Sequence, residues 1–63
     1  MKQICLVKKP LKTSSGKTEY ILEAACDSII TAEKYLQRYM KKQYETGEYL
    51  LVCPVHCYEE KDF

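Results

Sequence analysis

Apolar residues recur at alternate positions in ICLVKKPLK (residues 4–12), as Cys5, Val7 and Leu11, and in TEYILEAAC (residues 18–26), as Tyr20, Leu22, Ala24 and Cys26. This period of two is the pattern of half-buried β-strands. Thr13-Ser14-Ser15-Gly16-Lys17 lies between them, concentrating turn chemistry around a glycine able to take positive φ. A two-residue turn at Ser15-Gly16 predicts a hairpin over residues 3–26 with a definite register. Lys12 then faces Glu19, Lys8 faces Glu23, and Cys5 faces Cys26. The two charge pairs fall on one side, and Cys5, Val7, Leu11, Tyr20, Leu22, Ala24 and Cys26 fall on the other.

From Ser28 the period changes to that of a helix. Ile29, Ala32, Leu36, Tyr39 and Met40 form one stripe over residues 28–46, with Tyr35 and Tyr44 at its edges. Asp27 or Ser28 is placed to cap the first turn, and Gly47 to end the helix. A third strand follows over residues 48–59, and an acidic tail, 60–63, is expected to fray. Short strands, a right-handed crossover and one helix predict an α+β fold. It is a small ββαβ domain, 1–63, with a three-stranded antiparallel sheet in the order 2-1-3 and the helix on one face.

The third strand is unusual in being apolar on both sides. Leu51, Cys53 and Val55 alternate with Leu50 and Val52. One helix covers one face, whereas a continuous apolar run marks a strand buried on both. Leu50 and Val52 therefore mark a surface for a partner, most simply a second copy of the chain in a homodimer.

Composition narrows the functional classes. Sixty-three residues bury only ~60% of the surface their unfolded chain exposes, so the core is small. The net charge of +1 gives no whole-molecule drive toward nucleic acid or membrane. Its distribution is uneven, however. Residues 1–44 carry nine basic and four acidic side chains, and residues 45–63 carry one and five. No apolar run approaches the ~20 residues of a membrane span, and no secretory leader is legible, which points to the cytoplasm and to reduced cysteines.

Candidate chemistry gathers in LLVCPVHCY, residues 50–58, which holds two of the four cysteines and the only histidine. Cys53, His56 and Cys57, with Cys26, are a candidate zinc set, since zinc takes thiolates and imidazoles in a tetrahedron. In a continuous strand Cys53 and Cys57 sit ~13 Å apart and His56 points to the opposite face, so the set converges only if the chain turns at Pro54. The alternative is that the thiols are small buried hydrophobes and no cofactor is bound. A Cys–His hydrolase would need a cleft, an orienting group and an oxyanion hole that so short a chain has little room to build. No enzyme is expected.

Two partner readings remain. Lys34, Tyr35, Arg38, Lys41 and Lys42 project from the helix away from its apolar stripe. Six tyrosines in so short a chain favour a protein interface, where tyrosine and arginine bury area with a polar handle. The same cations with Lys8, Lys9 and Lys12 form the alternative, a nucleic-acid contact through phosphates. In size and in its lysine-, glutamate- and tyrosine-rich surface the chain resembles compact regulators encoded by phages and mobile elements. That resemblance involves no motif. It implies a protein that binds, and most simply inhibits, a larger host protein.

Overall fold

The computed structural model describes residues 2–63; Met1, the first residue of the expected domain, lies outside them. The strands are β1 (Lys2–Lys12), β2 (Thr18–Cys26) and β3 (Leu50–Cys57), in the order β2-β1-β3 with β1 antiparallel to both. Helices α1 (Ile29–Tyr39) and α2 (Lys41–Thr46) separate β2 from β3. This is the α+β arrangement expected from the alternation and the crossover.

The hairpin register agrees at one end and differs at the other. Cys5 pairs with Cys26 and Val7 with Ala24, but beyond Val7 the partners slip by one residue. Glu23 is the extra residue of a β-bulge, so Lys8 faces Leu22 and Lys12 faces Thr18. The expected Lys8–Glu23 and Lys12–Glu19 pairs do not form; Lys9 reaches Glu23 at 3.1 Å instead. The slip follows from the turn. Its loop is three residues, closed by the Thr13 amide donating to the Lys17 carbonyl at 2.8 Å, with Gly16 at φ 83°. Because a one-residue slip exchanges faces, Tyr20 and Leu22 leave the face of Val7 and stand on the other side.

Ser28 caps α1, its hydroxyl accepting from the Thr31 amide at 3.2 Å. The helix is not continuous to Thr46. Met40, at φ −129° and ψ 43°, breaks it, and α2 ends at Gly47 with φ 76°. No proline or glycine causes the break. Met40 is buried beside Leu36 in the core, while Tyr44 of α2 stacks on Tyr49 with ring centroids 6.2 Å apart. Packing thus outweighs the unbroken helical period of the sequence.

The core joins Cys5, Val7 and Cys26 of the sheet to Ala32, Leu36 and Met40, with Ala24, Tyr35, Tyr49, Leu51 and Cys53 packed against it. Val7, Ala32 and Leu36 are completely buried. Tyr39 and Tyr20, placed in the core by helical and strand period, are exposed instead. The tail is also more ordered than a frayed end. Residues Glu60–Asp62 form one 3-10 turn, with the Glu59 amide donating to Asp62 at 2.8 Å and the Tyr58 and Phe63 rings 5.8 Å apart.

Candidate functional site

The cysteine and histidine cluster is reorganised by a second bulge. In the β1–β3 ladder Ile4 faces Val55 and Leu6 faces Val52, so Cys5 lies opposite the two residues Cys53 and Pro54. Proline fits such a bulge because it lacks the amide a regular ladder would use. Cys5 and Cys53 are joined there by a disulfide, with Cα atoms 4.5 Å apart. Cys5 therefore bridges to Cys53, not to Cys26, its register partner on β2.

This bridge removes one of the four candidate zinc ligands. Cys53 has no thiolate to offer. Cys26 is a free thiol in the core, its pKa raised by burial and secondarily by the charge of Asp27. The bulge also exchanges faces along the end of β3. His56, opposite Gln3, joins the face of Cys53, whereas Val55 and the free Cys57 join Leu50 and Val52 on the other. No group of three metal-ligating side chains occurs among the described residues. Val55 was expected beside Leu51 and Cys53; the inserted residue is what moves it.

Open concavities mark the surface of the described residues. One, of about 390 Å³, lies among Pro10, Lys12, Tyr20 and Glu48. Another, of about 330 Å³, lies beside the disulfide among Cys5, Asp27, Ile29 and Pro54.

The helix face has firmer features. Glu23 ties three elements together: Lys9 of β1 pairs with one carboxylate oxygen, and the Tyr35 hydroxyl donates to the other at 3.2 Å. Partial burial and the neighbouring Glu23 charge raise the Tyr35 pKa, because both disfavour the phenolate. Tyr35 is thus held by the fold and half-buried. The free aromatic is its neighbour. The Tyr39 ring packs 5.0 Å from that of Tyr35, is 65% exposed, and carries the Arg38 guanidinium 5.6 Å from its centroid.

Sequence period had assigned Tyr39 to the core; the only signal for the alternative is its i, i+4 spacing from Tyr35. Lys34 lies one turn before Arg38 on the exposed side of α1. Lys41 and Lys42, also exposed, belong to α2, so the helix break divides the expected row of four cations into two pairs. None of the four is within ion-pair distance of a carboxylate among the described residues.

The hairpin lysines do not extend this surface. Lys9 is ion-paired, and Lys8 and Lys12 alternate onto the opposite side of β1. That side, with Leu50 and Val52 as expected, is an uncovered sheet face. Among the described residues no helix is long and apolar enough to cross a membrane. No known protein family matches the chain, and neither a curated protein nor a solved structure is significantly similar to it, so its own surfaces carry the functional reading.

Proposed function

We propose that this chain is a non-enzymatic interaction protein that docks on an acidic surface of a larger protein through Arg38 and Tyr39, flanked by Lys34, Lys41 and Lys42. The observation that carries the reading is the exposed Tyr39 ring under the Arg38 guanidinium. An aromatic that is already held by Tyr35 loses little conformational freedom on binding, and Tyr and Arg are the residues that dominate interface energetics. The cations around it steer an acidic partner. Occlusion of that partner's surface, hence inhibition, is the simplest outcome.

The nucleic-acid reading is weaker on geometry, since the cations it needs are split between two faces and one of them, Lys9, is already paired. A cytoplasmic location would suit a reduced chain, whereas the Cys5–Cys53 bridge favours an oxidising compartment.

The test is affinity capture from the source cell with wild-type and Arg38→Glu/Tyr39→Ala baits, read by mass spectrometry. One acidic protein should bind the wild type and bind the variant ~30-fold more weakly, the effect of removing a hot spot of about 2 kcal/mol. Identical capture by both baits would refute the reading.

A further inference from the structure

The side of the sheet facing away from α1 is uncovered and mostly apolar, with Lys2 and Lys12 at the two ends of β1 and Lys8 between them. Cross-strand neighbours share a face, so the partners of β1 define it. Leu6 lies between Val52 and Ala25, Ile4 beside Val55, Lys8 between Leu50 and Leu22, and Pro10 beside Tyr20. Leu22 is 59% exposed, Tyr20 43% and Leu50 41%. Such a face needs a second layer.

Two measures of shape give the size of what is missing. The chain exposes 5007 Å² at a mass of 7.4 kDa. A compact monomer of this mass exposes about 4,200 Å². The excess of about 800 Å² equals one partner's share of a standard protein interface. The radius of gyration is 13.5 Å and the thinnest extent 13 Å, where a compact chain of this length has a radius near 10.6 Å. The molecule has the dimensions of half a sandwich.

We propose that this face closes on the same face of a second copy, giving four layers in the order helix, sheet, sheet, helix. Lys8 sets the orientation. A two-fold axis crossing β1 at right angles at Leu6 makes the two β1 strands antiparallel. Lys8 is two residues from Leu6, about 7 Å along the strand, so the two copies of Lys8 lie about 14 Å apart. That exceeds the ~8 Å screening length at physiological salt, and each lysine stem lies over apolar surface with its ammonium reaching the rim. An axis along the strands would instead set Lys8 on Lys8. The dimer leaves both Arg38–Tyr39 surfaces outward, making a bivalent binder, but it does not depend on that reading because the two surfaces are on opposite sides.

Sedimentation equilibrium of the full chain tests this. At about 100 µM, above the dissociation constants usual for an interface of this area, the mass should be twice 7.4 kDa. Leu22→Glu and Leu50→Glu each place a carboxylate in the apolar contact and should weaken self-association at least ~30-fold. Both side chains are exposed in the monomer, so circular dichroism should show unchanged folds. Arg38→Glu/Tyr39→Ala should remain dimeric. A wild-type monomer at this concentration overturns the proposal and leaves the face to a different partner; a dimer untouched by both leucine variants overturns it by placing the contact elsewhere.

Discussion

Reduction of the Cys5–Cys53 bridge is expected to remove most of the stability of this chain. The bridge spans a sequence separation of 48 residues. On the chain-entropy account, cross-linking a loop of that size withholds about 4 kcal/mol of freedom from the unfolded state. A chain of 63 residues has a total stability of roughly 3–9 kcal/mol. The bridge therefore supplies between nearly half and all of it, as suits a core whose completely buried side chains are Val7, Ala32 and Leu36.

The assay is urea unfolding followed by far-ultraviolet circular dichroism, with and without a phosphine reductant. With an m-value of about 1 kcal/mol/M, the lower end for small proteins, the midpoint should fall by up to ~4 M. Intact mass should show the oxidised chain lighter by two hydrogens, and peptide mapping should join Cys5 to Cys53. Equal midpoints for the two forms would refute the entropic reasoning, and a Cys5–Cys26 linkage would refute the pairing itself.

Two further expectations concern titratable groups. Cys57 is a half-exposed thiol, whereas Cys26 is in the core with a raised pKa; since the thiolate reacts, iodoacetamide near neutral pH should label Cys57 about tenfold faster or more in dilute native protein, and equal rates would contradict the core. Tyr35 has its neutral phenol stabilised, so its folded-state pKa lies above the unfolded value. Its contribution is complete below about pH 10 and is lost as pH rises through the folded value. Phenolate absorbance should therefore show one tyrosine titrating late, and Tyr35→Phe should remove that step; persistence of the step in the variant would reassign it.

Strand and helix periods made the elements and their order legible, because each burial pattern is local. The Cys5–Cys26 pairing agrees because the Glu23 bulge offsets a turn one residue longer than expected. What local patterns do not contain is the register between β1 and β3, which no tight turn links. That register alone brings Cys5 to Cys53. The exposure of Tyr39 was hidden differently. Its spacing suits the stripe of Leu36, but the break at Met40 and the Tyr35–Glu23 hydrogen bond let it lie outside the core.

The two bulges have a common consequence for function. Each inserts one residue into a strand neighbouring β1, at Glu23 in β2 and at Cys53-Pro54 in β3, and each reverses the faces of everything beyond it. The first moves Tyr20 and Leu22 off the helix side; the second moves Val55 and Cys57 off it. Without them, those apolar groups would share the side of Val7, much of it beyond the reach of the short α1. With them, they join Ile4, Leu6, Leu50 and Val52 on the uncovered face. The Glu23 bulge at the same time turns a carboxylate toward Lys9 and Tyr35, which positions Tyr39 on the opposite surface. Irregularity in the sheet thus gathers most of its exposed apolar side chains on the face away from α1, while Leu11 and Ile21 stand on the helix side. The sorting predicts that deleting Glu23 should weaken both self-association in sedimentation equilibrium and capture of the acidic partner, whereas exposed substitutions such as Leu22→Glu or Arg38→Glu should weaken one and leave the other intact.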